Sequence, residues 1–166
     1  MTLEAQARAA LKRGDLAAAA AAARTLAQES PDRAAGFFLL GMIAAEAGQP
    51  GKAIPLIEAA VERGPEAEHL AQLARLLILL RRDGEALDAA REALALAPGD
   101  DALTLDTIGC VLVRLGDHEA ATAPFAAAVA AEPGNLDYRY NLAAASGFTG
   151  RVEQARTQYE AILASD

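Results

Sequence analysis

Little in this chain is equipped for covalent chemistry. Cysteine occurs once, as Cys110, so no internal disulfide can form, and His69 and His118 lie too far from it and from each other to make a zinc site at any recognised spacing. Tryptophan is absent and aromatics make up 4% of the 166 residues, which leaves the core to aliphatic side chains. Positive charge is scarce as well. Fifteen Lys and Arg stand against 23 Asp and Glu, a formal net charge of −8, and Lys12 and Lys52 are the only lysines. Nucleic-acid binders gather cations to displace counterions, so an acidic surface of this kind excludes DNA or RNA as a main ligand. Apolar runs such as residues 16–23 and 76–80 fall far short of the roughly 18 residues that cross a bilayer. Residues 1–12 lack a basic segment followed by an apolar one, so they do not read as a secretory signal. A soluble, cytoplasmic chain without membrane insertion is expected.

The catalytic motifs fail one by one. Gly51-Lys52 lacks the earlier glycine of a phosphate loop and is followed by Ala53, and no GxGxxG occurs. His118-Glu119 has Thr122 where a zinc-protease helix needs its second histidine. No histidine is spaced to activate Cys110, which is expected to be a buried, inert thiol. His69 and His118, at a helix start and a turn, are expected on the surface. The expectation is no enzyme, no catalytic residue, no metal and no cofactor.

What the chain does have is alanine, about a quarter of all residues, and a period. Pro31, Pro65, Pro98 and Pro133 recur after 34, 33 and 35 residues. The same shift aligns Ala19, Ala53, Ala86, Ala121 and Ala155 in one small-residue column and Ala7, Gly41, Ala74, Gly109 and Ala143 in another. Midway between them fall Gly14, Gly48, Gly116 and Gly150; in the third unit Arg81 takes that place and Gly84 is displaced into the next helix. Within each unit apolar residues step by three or four, as in Leu70, Leu73 and Leu77, which is helical spacing. Glycine stops the first helix, Asp15 or Asp117 caps the second, and proline closes it. Each unit is therefore a helical hairpin of about 34 residues with helices of about 12 to 14. Pro55 and Pro124 fall inside second helices, where mild kinks are expected.

The pattern resembles the tetratricopeptide repeat. Phe37, Leu40, Gly41 and Ala44 leading to Ala53, Ile57 and Pro65 carry the likeness, as do Leu105, Ile108, Gly109 and Leu112 leading to Ala121, Phe125 and Pro133. The ends depart from it, with Gln6 and Ala10 in the first unit and Arg139 and Ser146 in the last at slots that are usually bulky. The resemblance implies an all-α fold, an α-solenoid (right-handed superhelix) of antiparallel helical hairpins, in one domain over 1–166. The units run approximately over 1–33, 34–67, 68–100, 102–135 and 136–166. No hairpin of this kind buries its apolar face alone, so stability comes from stacking.

In such a stack the first helices line a concave wall. By register its columns are Glu4, Phe38, Ala71, Asp106 and Tyr140; Ala5, Leu39, Gln72, Thr107 and Asn141; Arg8, Met42, Arg75, Cys110 and Ala144; and, at the further edge, Lys12, Glu46, Leu79, Arg114 and Phe148. Phe38, Leu39, Met42 and Leu79 are apolar at positions that stacking does not require, and exposed apolar groups in a groove mark a binding site. The expected groove comprises Phe38, Leu39, Met42, Gln72, Arg75, Leu79, Asp106, Thr107, Arg114, Tyr140 and Asn141. The resemblance implies that Asn141 bonds the backbone of an extended peptide. It also implies a basic clamp in those relatives that hold chaperone tails, but here Glu4, Leu39, Glu68 and Gln72 stand at the clamp's slots, which argues against that ligand.

The reading is a non-catalytic adaptor or scaffold that takes a peptide or helix of a partner protein into its concave groove. The alternative is the N-terminal arm of a larger enzyme, since residues 138–150 resemble the last repeat of arrays that precede sulfotransferase domains. The last unit reaches Asp166 without a closing proline or a polar cap, so either two molecules meet there as a homo-oligomer or the chain continues in a longer protein.

Overall fold

A computed structural model describes residues 1–97, 99 and 101–165. Pro98 and Asp166, expected to close the third unit and the chain, lie outside the described residues. The described residues form ten helices and no strand. In chain order these are α1 (Leu3–Lys12), α2 (Leu16–Glu29), α3 (Ala34–Glu46), α4 (Pro50–Arg63), α5 (Ala67–Leu79), α6 (Asp83–Leu96), α7 (Ala102–Arg114), α8 (His118–Ala131), α9 (Leu136–Phe148) and α10 (Val152–Leu163). Consecutive helices pack as five hairpins, and each hairpin packs on the next, so the fold is the all-α repeat array that the periodicity implies.

Local chemistry accounts for the breaks. Gly14, Gly48, Gly116 and Gly150 take positive φ values of 71–85° directly after the first helices, and Arg81 takes the same slot at φ 60°. The turn geometry is thus kept in the third unit without the glycine that makes it cheap. Asp15 and Asp117 cap α2 and α8, accepting from the amides of Ala18 and Ala120. At the equivalent slot Arg82 and Arg151 offer no acceptor. Instead Arg82 bonds Glu85 of its own helix and lies 3.7 Å from Glu58 on the preceding hairpin's second helix, and Arg151 pairs with Glu119 on the second helix before it. Two lost caps are exchanged for two links between units. Pro55 and Pro124 sit within α4 and α8, which run on without a break.

The small columns are where helices touch. Ala7, Ala19, Ala53, Ala74, Ala86, Ala121 and Ala143 are fully buried. A β-carbon on Gly41 would fall 2.5 Å from Ile57 Cγ1, and one on Gly36 would fall 2.6 Å from the backbone of Ala27. Ile57, Phe125, Leu76, Ile108 and Leu112 fill the spaces between these close approaches. Ser146, in the slot that Leu77 and Leu112 hold in the third and fourth units, is fully buried and donates to Gln154 Oε1 at 3.1 Å, and Arg139 bonds Gln158 at 2.8 Å. Polar pairing between α9 and α10 thus replaces apolar bulk in the last hairpin.

Candidate functional site

The inner wall divides into two unlike halves. In the first two units it is closed, by a bridge that ends on the third. Arg8 of α1 reaches past the second unit to Glu68 of α5, with paired bonds of 3.0 and 3.1 Å, while its Nε bonds Glu4. These carboxylates hold the guanidinium's pKa above its ordinary value, the Glu68 bond contributing most. Beneath the bridge lies Phe38, whose ring is 5.7 Å from the guanidinium carbon and 4.4 Å from the ring of His69.

Phe38 and Leu39, expected to line an open groove, are therefore each only 1% exposed. Phe38 lies under Arg8 and against His69, and Leu39 packs on Ala7 and Ala23 of the first hairpin. Residues of neighbouring units cover both side chains. Met42 is half-buried against the main core. His69, expected at the surface, is buried with Nδ1 3.1 Å from Gly64 O, because the helix start at which it sits is roofed by Phe38.

In units three to five the wall is open. Two hollows of about 280 Å³ each lie side by side. One, between α5 and α7, is lined by Arg75, Ile78, Leu79, Asp106, Thr107, Cys110, Val111 and Arg114. The other, between α7 and α9 and floored by α8, is lined by Cys110, Val113, Arg114, His118, Phe125, Asn141, Ala144, Ala145 and Phe148. Cys110 and Arg114 form the wall that both share. Leu79 is 53% exposed and Phe148 74%, so both rims carry apolar surface facing water. Tyr140 is also exposed and meets Tyr159 edge-on at 6.2 Å.

Polar groups in this half are partly committed to one another. Asn141 Nδ2 donates to Asp106 Oδ1 at 2.8 Å and approaches Cys110 Sγ at 3.8 Å, so the amide expected to meet a peptide backbone is engaged within the chain. Burial pushes the Asp106 carboxyl above its ordinary range, against the opposing effect of the Asn141 bond. Burial, then the nearby Asp106 charge and hydrogen bond, push the Cys110 thiol up to about 11. A thiol so held is protonated at neutral pH and is a poor nucleophile. Arg75 bonds Gln72 at 2.8 Å, and Thr107 Oγ1 donates to Leu103 O at 2.8 Å. Among the described residues neither Arg75 nor Arg114 lies within ion-pairing distance of a carboxylate.

The structure thus brings Arg75, Leu79, Asp106, Thr107, Arg114 and Asn141 to the two hollows, with Gln72 bonded to Arg75 and Tyr140 near Phe148, while Phe38 and Leu39 are buried and Met42 is half-buried. It adds Ile78, Val111, Val113, Phe148 and His118. Phe148 stood in the sequence register as the edge residue after Arg114. His118, expected at the surface, is half-buried, and its ring stacks on that of Phe148 at 4.5 Å with an interplanar angle of 19°. The spacing of 30 residues between the two gave no local signal for that contact.

No helix of the structure, among the described residues, is long and apolar enough to cross a membrane. No curated protein sequence matches the chain. Three stretches, residues 4–68, 42–101 and 107–166, match the family model of the tetratricopeptide repeat. Solved structures with a similar fold include MamA, at 21% identity and a TM-score of 0.71 over 95% of this chain and 92% of that one. YrrB, described as a TPR protein with an unusual peptide-binding site, is 20% identical, with a TM-score of 0.68 over 95% of this chain and 81% of its own. PilF of Pseudomonas aeruginosa is 17% identical, with a TM-score of 0.79 over 99% and 75%. At these identities the likeness is one of fold. The three family matches span nearly the whole chain, and with ten helices stacked as hairpins on small-residue columns, the protein belongs to the tetratricopeptide repeat family, a family of protein-interaction scaffolds.

Proposed function

We propose that this chain is a non-catalytic scaffold that holds a segment of another protein against the inner wall of its third to fifth units. The observation that carries this reading is the pair of adjoining hollows that share Cys110 and Arg114, with Leu79 and Phe148 exposed on their outer rims. Withdrawing such apolar groups from water favours association by roughly 25 cal/mol for each Å² covered. Arg75 and Arg114 line these hollows, Tyr140 lines a neighbouring one beside Phe148, and together they supply polar selection. The first two units then serve as a closed support, since the Arg8–Glu68 bridge covers Phe38 and the first hairpin covers Leu39. A high thiol pKa at Cys110 agrees with binding, not nucleophilic, use of the site.

The test is a peptide-display selection on the immobilised chain. Recovered peptides are expected to bind the wild-type protein and to lose binding to the Leu79→Ser/Phe148→Ser double variant, whose helicity by circular dichroism stays unchanged. Recovery of no binder, or of binders indifferent to both substitutions, refutes the reading.

A further inference from the structure

The charge at the shared wall narrows what such a guest can be. Leu79, Arg114 and Phe148 end α5, α7 and α9, so one rim of the trough reads apolar, cationic, apolar across three successive units. Arg114 lines both hollows and has no carboxylate within 4.0 Å among the described residues, although the chain carries a net charge of −8. The nearest acidic group along the same helix face, Asp106, lies two turns away and is held by Asn141. A lysine or arginine on a guest would meet like charge at Arg114, while a carboxylate would be drawn to it.

Neighbouring packed helices stand about 8–10 Å apart, so the two hollows, one on each side of α7, are separated by about that distance. Residues seven apart on an α-helix are about 10.5 Å apart and share a face, and the residue three or four along lies between them on that face. We infer that the trough takes an amphipathic helix of a partner protein that seats two apolar side chains, seven residues apart, in the two hollows and sets a carboxylate between them against Arg114. This rests on the groove reading above and adds the shape and charge of the guest.

The experiment uses two labelled, alanine-rich peptides of about 18 residues, long enough to be checked for helicity. Both carry leucines at the first and eighth positions of the face; one has Glu and the other Lys at the fifth. Binding is followed by fluorescence anisotropy. The Glu peptide is expected to bind roughly tenfold tighter than the Lys peptide. That gap should shrink as salt screens it, and Arg114→Glu should reverse the order. Ala144→Phe, which fills the hollow between α7 and α9, should abolish binding of both; Phe148→Ala serves if that variant does not fold. Equal binding of the two peptides, with both lost on filling the hollow, overturns the charge inference and leaves the groove standing. Binding of neither peptide, or binding untouched by the filled hollow, overturns the inference and the groove together.

Discussion

Gly109 lies so close beneath Phe125 that a β-carbon on it would stand 2.5 Å from the ring edge. Phe125 is buried and cannot swing aside, so Gly109→Ala should cost about 1–3 kcal/mol, and Ala121→Leu, at a fully buried crossing, a similar amount. Gly147, inside α9 with open space where its β-carbon would go, is the control. There alanine should gain about 0.5–1 kcal/mol through helix propensity. Urea unfolding of the three variants checks the contrast, and equal effects at Gly109 and Gly147 would refute the packing register.

Arg81 occupies a left-handed turn that glycine holds in the other four hairpins. Arg81→Gly relieves about 1 kcal/mol of backbone strain, offset in part by the greater freedom of glycine in the unfolded chain. A small rise in melting temperature is expected. A fall would mean that the Arg81 side chain contributes more than its backbone costs.

Asp106 sets two pH responses. Its raised pKa means that the folded chain holds this proton more tightly than the unfolded chain. Its contribution to stability is therefore greatest below the unfolded carboxylate value, and is lost as pH rises through that value to the folded one. Asp106→Asn should accordingly stabilise the protein at neutral pH and show no such gain in strong acid, as read from urea midpoints at both.

The second response belongs to Cys110. With its pKa at about 11, alkylation by iodoacetamide should be slow at pH 8, where roughly a thousandth of the thiol is ionised, and should climb toward the alkaline end. Burial is the larger cause and stays in Asp106→Asn, but the charge beside the sulfur is gone, so the rate profile should move to lower pH. An unmoved profile would show that Asp106 has no electrostatic hold on the thiol.

The Arg8–Glu68 pair is partly exposed, at 38% and 34% for the two side chains, so its coupling in a double-mutant cycle should be modest, up to about 1 kcal/mol, and weaker in salt. Its larger effect is positional. Glu68→Gln should speed amide exchange in α1 relative to α5, measured by mass spectrometry.

The period was legible because close helix crossings admit only Ala or Gly, and because Asp15, Asp117 and the mid-unit glycines punctuate the chain at fixed offsets. The inner wall of the last three units was legible for the same reason: Leu79, Arg114 and Phe148 follow from one another by a shift of one unit. Register says which way a side chain leaves its helix, but not how far a long residue on another unit can reach. Arg8 meets Glu68 across 60 positions and roofs Phe38, which in turn covers His69, while Leu39 is buried against Ala7 and Ala23 of the first hairpin. The Asn141 bond was hidden in a similar way, because its acceptor Asp106 lies on another hairpin, 35 residues away.

Stacks in which every block meets only its immediate neighbours can lose blocks one at a time from either end. The clasp from α1 to α5 departs from that rule: the leading block cannot peel off without also releasing its hold on the third. The leading block therefore opens against an added cost that nearest-neighbour stacking does not impose, a small one because the pair is partly exposed.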